Sequence, residues 1–411
     1  MSTYETALHE FLPSLILARD LIFSYPHFMK SRLFTPGPTP VPEKVSLRMA
    51  EPIIHHRSPE FRELFARVNT NLQYVFQTSG PVITLASSGT GGVEATFVSL
   101  FSPGDTVIAV NGGKFGERWV AMPRTFGLRS IEIKIPWGKA VSAGQLTDAL
   151  RQHPDAKGVY LTHSETSTGT ATDVKLLARI IRDNSDALVC VDGITAIGAH
   201  EFRFDEWGID VCVTGSQKGL MIPPGLAFVA LSDRAIRAAR TSTLPKFYFD
   251  LGRALKALEA NDTPWTPAVS LLTGLDVALD MLKREGIEAV WERHRRLAMA
   301  LRAGIHGLGL NLFSDSPSYA VTPVWLPEGI VWNAFNKGLK IDNGVTAAGG
   351  QGDFTGKIFR ISHLGYYDDL DMITVVAAIE RSLDAQGYRF DLGVGLAAAQ
   401  KALLRPANPS K

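Results

Sequence analysis

Two cysteines in 411 residues, Cys190 and Cys212, are too few for a disulfide-stapled extracellular scaffold or a cysteine-rich metal centre. Both fall inside apolar runs that read as buried strands, where a thiol packs as a small hydrophobe, and a bridge between them would require those strands to be neighbours. No charge of one sign dominates either. Lys and Arg total 42 against 41 Asp and Glu, so the long-range field that steers proteins to nucleic acid or to acidic membranes is absent. Long hydrophobic runs are also missing. The most apolar part of the N-terminus, Phe11 to Phe23, is broken by Arg19 and Asp20 and follows Glu5 and Glu10 in place of a basic stretch, which excludes a membrane span and a signal peptide. It reads as a short amphipathic helix or, if Met29 is the physiological start, as an N-terminal extension (1–28) foreign to the working protein. There is no internal repeat and no low-complexity segment. These absences point to a cytoplasmic protein with small-molecule partners and no metal.

What is present is a large apolar content, 45% of residues, in a chain longer than one compact domain usually is, so two domains are expected. From Val82 to Leu231, short apolar runs alternate with longer amphipathic stretches: Thr106 to Val110, Ser130 to Ile135, Gly158 to Thr162, Ala187 to Val191, Asp210 to Thr214 and Leu226 to Leu231. Strands alternating with helical patterns predict an α/β domain, a mostly parallel sheet covered by helices. Beyond the turn-rich Asn261 to Pro267, helices are predicted from Val269 to Arg284 and Glu288 to Leu308. Strands follow near Ser318 to Trp325 and Lys357 to Ser362, then a last helix from Asp369 to Ala385 and a loose polar end. This reads as a smaller α+β domain.

In parallel sheets, ligands bind beyond the carboxyl ends of the strands, and several chemically loaded segments fall there. Lys218 follows Val213-Thr214-Gly215-Ser216-Gln217, and Asp192 closes Val189-Cys190-Val191. A strand-end lysine can form a Schiff base, and a neighbouring aspartate can pair with a pyridinium nitrogen, the combination that holds pyridoxal phosphate. Each residue alone also has a plainer reading, Lys218 as a surface lysine and Asp192 as a cap or solvated turn. Ser87-Ser88-Gly89-Thr90-Gly91-Gly92 opens a helix and either cradles a phosphate on its N–H groups and hydroxyls or serves as a turn and cap. It has the spacing of neither a dinucleotide fingerprint nor a Walker loop. Phe115, in Asn111-Gly112-Gly113-Lys114-Phe115-Gly116, either stacks on a heteroaromatic ring or packs in the core. Thr162-His163-Ser164-Glu165-Thr166-Ser167-Thr168-Gly169 carries more hydrogen-bonding side chains than a turn requires. Arg360, inside the apolar run Phe359 to Ile361, needs an anion, either a substrate carboxylate or an internal salt-bridge partner.

In order and spacing, these segments resemble the class V aminotransferases of PLP fold type I, and within them the alanine/serine-glyoxylate (serine-pyruvate) branch. The likeness runs from Phe34-Thr35-Pro36-Gly37-Pro38-Thr39-Pro40-Val41-Pro42 to Arg360-Ile361-Ser362-His363-Leu364-Gly365. It implies a large PLP-binding domain (47–280) and a small domain made of 29–46 and 281–411. It makes Lys218 the Schiff-base lysine, Asp192 the partner of the ring nitrogen, Phe115 the stacking residue where relatives often carry tryptophan, and Ser88, Gly89, Thr90 and Gln217 the phosphate site. Thr166 would hold the ring side, and Arg360, with the backbone near Gly37, the substrate carboxylate. Thr266 would reach the phosphate of a second subunit, which implies a homodimer with shared active sites. Thr263 stands near a position where some relatives have tyrosine, a departure that bears on this contact. The activity implied is ping-pong transfer of an amino group from alanine or serine to glyoxylate or pyruvate. The alternatives are a 2-aminoethylphosphonate or phosphoserine aminotransferase, or a non-catalytic scaffold subunit of the same fold. A cysteine desulfurase is disfavoured, because neither cysteine sits where a mobile thiolate is needed.

Overall fold

Seven strands form the central sheet of the computed structural model, which describes residues 29–404; the expectations for residues 1–28 lie outside the described residues. In chain order the strands are β1 (Val82–Ala86), β2 (Thr106–Asn111), β3 (Arg129–Lys134), β4 (Ala156–Thr162), β5 (Leu188–Asp192), β6 (Val211–Gly215) and β7 (Leu226–Leu231). Their spatial order is β1-β7-β6-β5-β4-β2-β3. Only β7 runs antiparallel to its neighbours, and the pairs from β6 through to β3 are all parallel.

The composition of each strand follows its place in the sheet. Strands β2, β5, β6 and β7 are buried at every position, as expected of sheets covered on both faces, and they are correspondingly rich in Val, Ala and Leu. The edge strand β3 reads Arg-Ser-Ile-Glu-Ile-Lys and exposes its charged residues, which blunts pairing with another sheet. Successive side chains alternate between two cores. Val189 and Val191 join one, with Cys212 and Phe228, while Cys190 joins the other, with Val211, Val213 and Tyr160. The strands bearing the two cysteines are indeed neighbours, but register sets Val191 opposite Cys212, so the two thiols face opposite sides of the sheet and both are free.

A second layer is built from later sequence. Strands β8 (Val321–Trp325), β9 (Ala348–Gly349) and β10 (Ile358–Ser362) form a sheet in the order β8-β10-β9, backed by helices Ile287–Gly307, Asp369–Asp384 and Val394–Leu404. The last of these corrects the expected loose end. Ala399 is buried in this core, and Gly304 and Gly307 present no side chain to the Val394–Leu404 helix, so the two helices approach closely. A polar-looking tail hid a helix whose small residues do the packing. The N-terminal segment joins the same core: Phe34 is buried in it, and Arg32–Leu33 pairs in parallel with Val345–Thr346.

Away from the carboxyl ends of the strands, the buried Asp210 ties β5, β6 and the next helix together. Its carboxylate accepts from the Val189 N–H at 3.0 Å and the Ser232 hydroxyl at 2.7 Å, and it pairs with Arg234 at 3.1 Å and Arg182 at 3.5 Å. Asp210→Ala leaves the Val189 amide without its acceptor, while the partly exposed arginines turn to water, at a cost of about 1–3 kcal/mol. It is therefore expected to lower the unfolding free energy obtained from urea titration by that much while leaving the lysine site's ligand affinity unchanged.

Candidate active site

Parallel strands bring their carboxyl ends to one edge, and that edge collects most of the chemically loaded residues. Asp192 ends β5, level with Val213 of the adjacent β6, and Lys218 lies in the turn that leaves β6. Lys218 is no surface lysine, and Asp192, though it caps the turn that follows it, is not solvated. Lys218 is 8% exposed and Asp192 5%. The Asp192 carboxylate accepts from the Ile194 N–H and from the Trp119 indole N–H, each at 2.9 Å, so it is neither solvated nor free to turn. Burial pushes its pKa up to about 7, opposed by those two donors and by the Lys218 ammonium. Burial likewise lowers Lys218 to about 8, opposed by the attraction of Asp192 and helped by the repulsion of Arg360.

The wall over the lysine comes from the N-terminal segment. Lys218 Nζ donates to the Pro36 carbonyl, and Thr39 Oγ1 donates to the Lys218 carbonyl at 3.0 Å. Gly37 sits at φ +148°, and a Cβ there would fall 2.3 Å from Lys218 Nζ, so both conformation and space demand glycine.

Helix Gly89–Leu100 starts beside this pair. Its N-cap, Ser88, makes no side-chain capping bond, which leaves the hydroxyl available. The backbone is crowded: a Cβ on Gly89 would fall 2.5 Å from Ile194 Cδ1, and one on Gly91 would fall 2.0 Å from Ser87 Oγ. Thr90 Oγ1 accepts from Arg118 at 3.3 Å. Gln217 Oε1 and the Gly89 amide both lie against Gly215, and that Oε1 is buried without any donor. Turned over, the same amide would offer N–H groups at that point, the arrangement an anion requires. The unbonded hydroxyl, the free helix N-terminus and the mispaired amide together suit a phosphate, and Asp192 suits a ring nitrogen, so these residues fit pyridoxal phosphate.

Thr166 Oγ1 bonds Thr195 Oγ1 at 2.6 Å, and its carbonyl accepts from Arg360 Nη1 at 3.0 Å. The Arg360 Nε also donates, to the Gly349 carbonyl at 2.8 Å. No carboxylate among the described residues pairs with this guanidinium within 4.0 Å, which disposes of the internal salt bridge; burial lowers its pKa to about 10. Phe115 is half-buried at the start of helix Lys114–Thr125, packed on the edge of the core that holds Trp119, with the Arg118 guanidinium 5.0 Å over its ring. His163 packs against His200 and Phe202, where burial lowers its pKa to about 4. Thr266 is exposed on a loop and forms no hydrogen bond among the described residues, whereas Thr263 is buried and donates to the Trp265 carbonyl at 2.7 Å. This chain alone does not bring Thr266 to the lysine.

Sequence reasoning missed Trp119 and Thr39. Trp119 stands four residues after Phe115, the spacing that puts two side chains on one helical face, so a helix assigned over 114–125 would have pointed to it. Thr39 carried no comparable signal.

A family model described as aminotransferase class-V matches residues 33–327, well over half of the chain. The chain belongs to the class V aminotransferases. Members of this family use pyridoxal phosphate. Among curated relatives of this aminotransferase, a protein named "Soluble hydrogenase, small subunit" from Synechococcus sp. (strain PCC 6716) is 43% identical over 91% of this chain and 98% of its own length. The L-aspartate–glyoxylate aminotransferase of Paracoccus denitrificans (strain Pd 1222) is 36% identical, covering 90% and 95%. The serine–glyoxylate aminotransferase of Hyphomicrobium methylovorum is 34% identical, covering 92% and 96%.

The depressed pKa of Lys218 has a consequence for the cofactor-free protein. Below about pH 8 the folded state carries a buried ammonium that the unfolded chain solvates freely; between there and about 10.5 the folded lysine is neutral first, so the cost is progressively relieved. Lys218→Met should therefore raise the stability of the cofactor-free protein by about 2–3 kcal/mol at pH 7, with the advantage shrinking as pH rises toward 10. Urea titrations of both proteins across that range measure it.

Proposed function

We propose that this enzyme transfers the amino group of a small amino acid, alanine or serine, to a small 2-oxo acid, glyoxylate or pyruvate, in two half-reactions of ping-pong type. The observation that carries this reading is the buried pair of Lys218 and Asp192 facing an arginine, Arg360, that has no carboxylate of its own. Pyridoxal phosphate supplies an aldehyde that accepts the amino group and a ring that disperses negative charge. Ser88, Gly89, Thr90 and Gln217 hold its phosphate, Phe115 and Thr166 hold its ring, and Asp192 keeps the ring nitrogen protonated. Trp119 fixes the Asp192 carboxylate in place by its indole hydrogen bond.

Lys218, with a pKa near 8, has a share of neutral amine at physiological pH and takes the proton from the substrate α-carbon. Arg360 grips the α-carboxylate through the part of its fork not spent on Gly349 and Thr166, assisted by the backbone at Gly37. Both aminotransferase relatives are named for glyoxylate, which supports that acceptor; one is named for aspartate as donor, the other for serine.

We also read the protein as a homodimer whose subunits complete each other's sites. Thr266 lies exposed beside an aromatic group in which Phe247 and Tyr248 stack on Trp265 and Arg253 sits over Phe247 and Trp265, with Phe247 68% exposed. Such a patch on the surface of one chain is the kind that associates.

Mixing the protein with each amino acid in turn and following the visible absorbance of the bound cofactor tests the donor reading. Bleaching by alanine or serine, restored by glyoxylate or pyruvate, is expected; bleaching by aspartate alone would replace it. A protein that stays colourless with added cofactor would instead be a scaffold, a reading to which the word "subunit" in one relative's name gives some weight. Lys218→Ala should abolish turnover in a folded protein. Arg360→Ala should raise the Michaelis constants for both amino and oxo acid at least tenfold with the cofactor absorbance intact, since a charge-assisted bidentate contact is lost.

A further inference from the structure

Helix Lys114–Thr125 carries two side chains of the site, Phe115 and Trp119, yet has nothing of its own to cap it. Its N-cap is Gly113, which has no side chain, and a Cβ there would fall 2.4 Å from Ser167 Oγ and 2.5 Å from Glu165 Cδ. Those two residues, from the loop after β4, take over the capping. Glu165 Oε2 accepts from the Phe115 N–H at 3.2 Å and the Gly116 N–H at 3.0 Å, while Oε1 accepts from the Ser167 N–H at 3.1 Å and hydroxyl at 2.5 Å. Ser167 Oγ in turn accepts from the Lys114 N–H at 3.0 Å. A helix N-terminus favours negative charge, and this one receives a carboxylate from a distant part of the chain.

Glu165 is 4% exposed, and its oxygens meet three backbone N–H groups, which can only donate and so favour the anion, and the Ser167 hydroxyl. Burial raises its pKa; the donors from Ser167, Gly116 and Phe115 oppose this. The carboxylate lies between two other buried charges. Arg360 hydrogen-bonds the carbonyl of the very next residue, Thr166, and its positive charge is favoured by Glu165. Asp192, held by Trp119 of the capped helix, is disfavoured as an anion by the same carboxylate.

We propose that Glu165 is a positioning residue with a second, electrostatic task. It fixes the helix that presents Phe115 and Trp119, and as a buried carboxylate one residue from the Thr166 carbonyl that Arg360 binds it weakens that arginine's hold on a carboxylate, so that the site releases its 2-oxo acid product. The inference rests on the assignment of Arg360 to the substrate carboxylate.

The test uses propionate, a carboxylate with no amino group to react, titrated calorimetrically into the holoprotein. Glu165→Gln keeps the shape and removes the charge, and propionate should bind it about threefold or more tighter. Ser167→Ala removes part of the cap and keeps the charge, and should bind propionate no tighter than the unmutated protein. Equal or weaker binding by Glu165→Gln would reduce the residue to a structural cap and overturn the proposal. Should Glu165→Gln not fold, Glu165→Asp retains the charge but withdraws from the helix: faster amide exchange over 113–118 with propionate affinity not increased is expected, and unchanged exchange would reject the capping. If Arg360→Ala leaves propionate binding untouched, the assignment of Arg360 itself fails, a result separate from any outcome at Glu165.

Discussion

Burying a lysine beside an aspartate at the edge of a parallel sheet is the constraint around which this molecule is organised. In water neither group would suit the chemistry, because the amine would stay protonated and the carboxylate would be screened. Both are withdrawn from solvent here, one brought toward 8 and the other toward 7; the charged amine is favoured by Asp192, and the carboxylate by the Ile194 amide first, then Trp119 and Lys218. The surroundings maintain this. Strand pairing between β5 and β6 sets the two groups near each other, Trp119 and the Ile194 amide hold the carboxylate, and the Pro36 carbonyl holds the amine. A third buried charge, Arg360, enters from the second layer with hydrogen bonds to carbonyls only, and so retains an unsatisfied attraction for an incoming anion.

Much of this was legible in the sequence because the strands are written in an unambiguous code. Runs such as Val189-Cys190-Val191 and Leu226 to Leu231 are apolar at every position, bounded by polar turns, and buried on both faces, so pattern and structure agree to within a residue or two. The residues just past each run then fall at the carboxyl edge by topology alone. What the sequence hid was of another kind. The helix Val394–Leu404 buries alanine and glycine surface against Gly304 and Gly307, and small residues give no strong periodic signal. Glu165 could be seen in a polar loop, but its partners are backbone amides fifty residues away, and a backbone amide has no letter in the sequence. Thr266 raises a different problem: it is exposed on a loop, and one chain's pattern does not show what meets it.

The same contrast separates the two ends of the sheet. At the opposite end, Asp210 is also a buried carboxylate on a strand boundary, and from the sequence alone it looks much like Asp192. Its partners are two arginines, a serine and an amide, which satisfy it completely. Asp192 has two donors on one side and a lysine held off by other contacts. Fold stability comes from the satisfied carboxylate and reactivity from the other, and the topology, by sending the crossover loops to one edge, decides which is which.

The short pairing of Arg32–Leu33 with Val345–Thr346 has a bearing on how the molecule is made. On the ribosome the segment that will roof the reactive amine emerges first, but the strand it must lie against follows roughly three hundred residues later, after the whole seven-stranded sheet has been synthesised. The amine and its carboxylate partner are thus assembled by local and medium-range pairing, while their enclosure waits until Val345–Thr346 has been made.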